Sequence, residues 1–231
     1  MIRSFPSSPL TAPMSLVLVA AVAGCAAPGG TAPAGAAKAA AAPAGRPPVM
    51  WVYGDKGAVP PYALFLGTPA DSSTTVPQNG TGSLDAGAIR IEPARVGDTP
   101  GAKFTWTGGL GQFHLQSKMA NDLLDYIDAD SAMVFDAVVN KAPEDQVTMR
   151  VDCRYPCLGV VDMTDFYKKA PVGQTIQVKV PLTCFEATGT KFTAVNTPLL
   201  IFTTKPFSLS VANVRYVPGA AKDADAFKCA A

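Results

Sequence analysis

Across residues 49–218 apolar and polar side chains alternate with a period of two, and that alternation most narrowly limits what the chain can fold into. Val147, Met149 and Val151 alternate with Thr148, Arg150 and Asp152, and Ile176, Val178 and Val180 with Gln177 and Lys179. Phe104 and Trp106 alternate with Lys103, Thr105 and Thr107, and Phe113 and Leu115 with Gln112, His114 and Gln116. Successive side chains of a strand point to opposite sides, so each segment offers one face to a core and one to water. Further strands are expected over 62–66, 88–92, 132–139, 158–162, 199–203 and 207–217. Gly108-Gly109 reads as a hairpin turn, and Asn79-Gly80 and Pro100-Gly101 as loops. Helical signals are confined to short turns at 119–127, 164–169 and 184–187, none long enough for the crossover of a parallel sheet. About ten short antiparallel strands in one domain predict an all-β antiparallel sandwich, a jelly roll over 49–218 followed by a polar tail at 219–231.

The N-terminus follows other rules. Arg3 supplies a positive charge, residues 14–22 form a short apolar core, and Val22-Ala23-Gly24-Cys25 ends it. That core is shorter than the roughly 20 apolar residues a spanning helix needs, which is the pattern of a cleaved signal peptide at residues 1–24. The small-small-Cys ending resembles the lipobox of bacterial lipoproteins, which implies that Cys25 is acylated and anchors the protein in the lipid membrane. An ordinary secretory signal with an incidental cysteine is the alternative. Ala26, where inner-membrane lipoproteins often carry aspartate, points to the outer membrane. Residues 25–48 are nearly all Ala, Gly and Pro, with too little apolar side chain to repay ordering, and read as a tether.

Charge narrows the partners. The chain holds 19 basic and 18 acidic residues, and Arg3 is the one charge before Cys25, so the exported part is balanced. A neutral balance argues against nucleic acid, which selects basic surfaces. Cys153, Cys157, Cys184 and Cys229 remain for the domain. In an oxidising compartment an even count favours pairing, and Cys153 and Cys157 can close a small loop around Pro156. Cys184 then pairs with Cys229, or Cys229 stays free in the tail. His114 is the sole histidine, so a zinc–thiolate site finds few ligands and no metal or cofactor is expected. Asp122, Asp125, Asp128 and Asp130 offer oxygens for a structural calcium, with a solvated acidic loop as the simpler reading.

The block at 147–185 reads VTMRVDCRYPCLGVVDMTDFYKKAPVGQTIQVKVPLTCF: a strand into Cys-x3-Cys, a Val-Asp strand, a helical turn, then a strand ending Val-Pro-Leu-x-Cys-Phe. Val52-Tyr53, the run Ala63-Leu64-Phe65-Leu66-Gly67, Phe104-Thr105-Trp106, the strand 112–116, Phe135-Asp136 and the closing strand 208–216 follow in order around it. This set resembles the galactose-binding-like domain at the C-terminus of ExoP-type bacterial exo-β-glucosidases of glycoside hydrolase family three. The resemblance implies a galactose-binding-like sandwich and an association with sugars. It does not carry hydrolysis, because the catalytic carboxylates of those enzymes lie in other domains.

The residues agree with a non-enzyme. Glu92, Asp136, Asp152 and Asp162 are the strand carboxylates from which a glycosidase pair would come, and no Gly-x-Ser-x-Gly elbow is present. Sugar recognition combines aromatic faces with planar polar groups. Trp51, Tyr53, Tyr62, Tyr155, Phe166 and Tyr167 are the loop or edge aromatics, whereas Trp106 belongs to a core. Outward polar candidates are Lys103, Thr105, Gln112, His114, Gln116, Arg150, Asp152, Gln177 and Lys179, which form one stripe if their strands share a sheet. Of these, Tyr155, Arg150, Asp152, Gln112, His114, Gln116 and Lys179 are the expected ligand-binding set. The expected function is a lipid-anchored carbohydrate-binding module of the cell envelope for a glucan or related glycan, and the alternative is a module docking an envelope protein.

Overall fold

The computed structural model of the chain describes residues 45–68, 74–76, 80–83 and 88–229. Cys25, the expected signal peptide and most of the tether lie outside the described residues, as does Asn79.

The strands are β1 (Met50–Gly54), β2 (Gly57–Ala58), β3 (Ala63–Gly67), β4 (Thr74–Thr75), β5 (Gly82–Ser83), β6 (Ile89–Val96) and β7 (Thr99–Trp106). They continue with β8 (Gly111–Gln116), β9 (Ala132–Lys141), β10 (Val147–Asp152), β11 (Leu158–Asp162), β12 (Thr175–Pro181), β13 (Thr197–Thr203) and β14 (Phe207–Val217). Among the described residues three short helices intervene: α1 (Leu124–Asp128), α2 (Thr164–Lys169) and α3 (Leu182–Ala187). A first sheet runs β12-β9-β14-β7-β6-β5, with β1 pairing β14 and β2 pairing β1. The second runs β11-β10-β13-β8-β3-β4. Neighbouring strands are antiparallel throughout, so the expected all-β antiparallel sandwich is the fold.

Alternation explains the core. Ala102, Phe104 and Trp106 of β7, Phe207, Leu209 and Val211 of β14, and Phe113 and Leu115 of β8 all face inward and are buried. Phe104 of the first sheet stacks on Phe113 of the second, with centroids 3.7 Å apart. Trp106 packs on Phe207 at 5.3 Å, and Phe207 on Tyr167 of α2 at 5.4 Å. Each such ring contributes on the order of 1.5–3 kcal/mol by leaving water.

The chain passes from sheet to sheet, and here the turns differ from expectation. Gly108-Gly109 makes no hairpin: β7 lies in the first sheet and β8 in the second. Both glycines have positive φ, +119° and +82°, which lets the backbone turn the corner. The Trp106 indole Nε1–H donates to Gly111 O across that corner at 2.8 Å. The hairpin is β6–β7, with Val96 opposite Thr99. Pro100 and Gly101 therefore sit inside β7, opposite Arg95 and Ala94. A Cβ at Gly101 would overlap the Val211 carbonyl of β14, so the glycine serves strand approach, not a loop.

Two other expectations shift. Helix α1 starts at Leu124, because the Asn121 N–H donates to Val195 O at 2.7 Å and holds the preceding residues in a bridge. The C-terminal segment is docked as far as Cys229. Cys184 and Cys229 form a disulfide, the Phe227 N–H donates to Lys179 O at 2.8 Å, and Phe227 lies 6.3 Å from Phe166. Asp223 and Asp225 look solvated in sequence because their partner, Lys179, stands on β12, 44 and 46 residues away.

Candidate functional site

The outer face of the second sheet gathers most of the expected ligand-binding residues. Gln112, His114 and Gln116 point outward from β8, and Thr148, Arg150 and Asp152 from β10. These strands share a sheet but are not neighbours, since β13 lies between them. Phe65, His114, Leu200, Arg150 and Val160 are successive cross-strand partners in one row. Gly67, Gln112, Phe202, Thr148 and Asp162 form the next. The polar stripe is thus interrupted by Leu200 and Phe202, and flanked by Phe65.

His114 is on the outward face as expected, yet it is buried, with 4% exposure. Its neighbours supply the cover: the Phe65 ring lies flat on the imidazole, centroids 5.2 Å apart and planes 10° apart. Burial, helped by the Arg150 charge, pushes the His114 pKa down to about 4, so the imidazole is neutral near neutral pH. Among the described residues its Nδ1 has no hydrogen-bond partner, and neither has the Thr148 Oγ1.

Arg150 grips Asp152 in a fork, Nε to Oδ1 at 3.2 Å and Nη2 to Oδ2 at 2.9 Å. Burial raises the Asp152 carboxyl against the pull of Arg150. Beyond Asp152, Cys153 and Cys157 are bridged as the spacing suggested. The bridge closes the loop that carries Tyr155, which is 83% exposed. Arg154, at φ 65°, donates its N–H to Asn196 Oδ1 at 3.0 Å and fixes the loop to the sheet.

Lys179 does not join this group. It stands on the first sheet, its Nζ 2.8 Å from Asp223 and 2.9 Å from Asp225. Gln177 and the β7 residues are also on the first sheet, where Lys103 pairs with Glu92 at 2.9 Å and Thr105 meets Ser208 at 3.3 Å. Of the aromatic candidates, Tyr53, Tyr62 and Tyr167 are buried and Phe166 packs on the core, leaving Trp51 and Tyr155 exposed. Phe65 and Phe202 also stand on the outer face of the second sheet, although the alternation of polar residues did not single them out. The signal was present, since Leu64 and Leu66, and Leu199 and Ile201, point their neighbours outward.

The strand carboxylates are each engaged by a neighbour. Hydrogen bonding from Lys103 holds Glu92 below the ordinary carboxylate range. Asp136 accepts from Gln177 at 3.2 Å and from Asn213 at 2.7 Å. Burial opposes ionisation of Asp162, but hydrogen bonds from Thr164 and Gln146 outweigh it and lower its pKa. Of the acidic run considered for calcium, Asp122 accepts the Leu124 N–H at 3.0 Å and Asp130 pairs with Lys222. Among the described residues no group of three or more His, Cys, Asp or Glu side chains gathers for a metal ion.

Two antiparallel sheets face to face, with rings and polar groups on one outer face, define a galactose-binding-like β-sandwich. The chain matches the profile of the ExoP C-terminal family, described as galactose-binding domain-like, over residues 60–216 and belongs to that family. Among solved structures it is similar to the exo-1,3/1,4-β-glucanase ExoP from a Pseudoalteromonas species, with TM-score 0.66 and 16% identity over 80% of this chain. It spans 22% of that enzyme's length. Against the isolated extra C-terminal domain of the same enzyme the TM-score is 0.64 at 15% identity, covering 79% of this chain and 99% of that one. A third similar structure is the family 30 carbohydrate-binding module of the cellulosomal cellulase Cel9D-Cel44B of Clostridium thermocellum. Its TM-score is 0.54 at 14% identity, covering 74% of this chain and 98% of that one. At these identities the likeness is one of fold. No curated protein matches the chain in sequence.

Proposed function

We propose that this protein is a non-catalytic carbohydrate-binding module, anchored to the bacterial envelope through acylated Cys25, whose second sheet receives a glucan-type glycan on its outer face. The observation that carries the reading is that the half-buried rings of Phe65 and Phe202 stand in cross-strand rows with Gln112, Arg150 and Asp162 on that face. The planar polar groups of Gln116 and Arg150, both half-buried on that face, would donate to sugar hydroxyls. The half-buried rings of Phe65 and Phe202 give a pyranose its apolar contact. A solved structure of the same fold is itself named a carbohydrate-binding module.

Arrangement of the carboxylates supports a role without catalysis. Asp152 lies opposite Leu158, and Asp162 opposite Thr148, four residues along the ladder. At roughly 3.4 Å per residue their backbones stand about 14 Å apart along the ladder, wider than the roughly 5–9.5 Å between opposed glycosidase carboxyls. Glu92 and Asp136 lie on the other sheet.

Affinity electrophoresis of the full-length protein in detergent, against β-glucans, galactans and cell-wall glycans, tests the reading. Retardation by a glucan is expected. Absence of retardation by every glycan, with recovery of a single protein partner from the envelope, would favour a protein-docking module instead.

A further inference from the structure

The first sheet carries a recess of its own, on the opposite side of the sandwich. Trp51 of β1, Arg215 of β14, Val134 of β9 and Lys179 of β12 are successive cross-strand partners, so one row of side chains crosses four strands. Val134, 3% exposed, lies at the floor, while Trp51, 44% exposed, rises on one side. Lys179 and Asp223 form the other side of a groove of about 280 Å³. That is near the lower end of the roughly 300–1,000 Å³ typical of small-ligand sites.

Its charges are unevenly satisfied. Lys179 is neutralised by Asp223 and Asp225. The Arg215 guanidinium sits 5.4 Å from the centre of the Trp51 ring and donates through Nη1 to Asn213 O. Among the described residues no carboxylate pairs with it. Asp136, one register step further along the sheet, is already taken by Gln177 and Asn213. A second hollow, lined by Arg46, Gly219 and Lys222, shares Val217, Ala220 and Asp223 with the groove. There Lys222 is paired with Asp130, and Arg46 has no acidic partner among the described residues. Two guanidinium groups without a carboxylate partner among the described residues therefore border two hollows that share Val217, Ala220 and Asp223, beside an exposed indole.

We propose that this recess is a second glycan site, specific for a sugar bearing a carboxylate. The indole offers apolar contact to the pyranose, and the planar Arg215 fork matches a carboxylate, with Arg46 placed for a further acidic residue of the chain. A flat lipid surface would reach Trp51 and Val49 but not Val134 at the floor, so the recess favours a ligand that enters it. The site does not depend on the reading of the second sheet.

The test titrates the full-length protein in detergent with an oligoglucuronate and with the neutral gluco-oligosaccharide of the same linkage and length. Binding is read by intrinsic fluorescence. The chain has two tryptophans, and Trp106 is buried, so the exposed Trp51 reports on the recess. The oligoglucuronate is expected to change the emission with an affinity that falls as salt rises. Arg215→Gln should weaken that binding roughly 10–100-fold and leave binding of the neutral sugar unaltered. Trp51→Phe should keep the binding measured by calorimetry, and Trp51→Ala should lose most of it. Oligoglucuronate affinity unchanged in Arg215→Gln, no response of the parent protein, or binding only to anionic phospholipid vesicles would each overturn the proposal.

Discussion

The Phe65 and His114 rings lie face to face on the outside of the second sheet, 5.2 Å apart and within 10° of parallel. This contact hides an imidazole that alternation alone would leave in water. It has a thermodynamic consequence. The folded pKa is about 4 against an unfolded value of 6.5, so the unfolded chain takes up a proton first as the pH falls. Stability from this group is complete above pH 6.5, declines between 6.5 and about 4, and levels off below. The loss amounts to about 3 kcal/mol. Asp152, with a raised carboxyl, acts in the opposite sense at the acid end. Urea unfolding at a series of pH values should show the His114 decline in the parent protein and its absence in His114→Phe.

The cross-sheet stack of Phe104 on Phe113 joins the two halves of the core. Truncation of either ring should leave a cavity that packed neighbours cannot close. Phe113→Ala is expected to cost about 3–5 kcal/mol in chemical denaturation. The exposed Met119→Ala, by contrast, should change stability by less than about 0.5 kcal/mol.

The Cys184–Cys229 bridge closes a loop spanning 45 residues and fastens the tail along β12. Chain-entropy reasoning assigns such a bridge about 4 kcal/mol, and observed losses are typically about 2–5. Replacing both cysteines by serine should lower stability within that range. Amide exchange should quicken at Phe227, whose N–H bonds to Lys179 O.

If Cys25 carries the lipid, Cys25→Ala should move the protein from the membrane fraction to the soluble one. Retention in the membrane fraction after that substitution would reject the lipobox reading.

Period two made the faces legible. It assigned Trp106 to the core and turned Gln112, His114, Arg150 and Asp152 outward. It could not say which strands neighbour each other, because parity is the same whichever sheet a strand joins. The corner at Gly108-Gly109 sends β7 and β8 to different sheets, and β13 inserts between β8 and β10 from far downstream. That insertion puts Leu200 and Phe202 into the polar stripe, and the same topology removes Lys179 to the opposite face. The tail misled for a similar reason: its aspartates are polar in sequence but find their cation on a distant strand.

Calorimetric titration of the full-length protein with a neutral gluco-oligosaccharide measures glycan binding at the outer face of the second sheet. Phe65→Ala and Phe202→Ala should each weaken binding roughly tenfold, equivalent to about 1.4 kcal/mol, while Lys179→Gln leaves it unaltered. Undetectable binding in the parent protein, or affinity in Phe65→Ala and Phe202→Ala equal to that of the parent, would contradict glycan binding at this face.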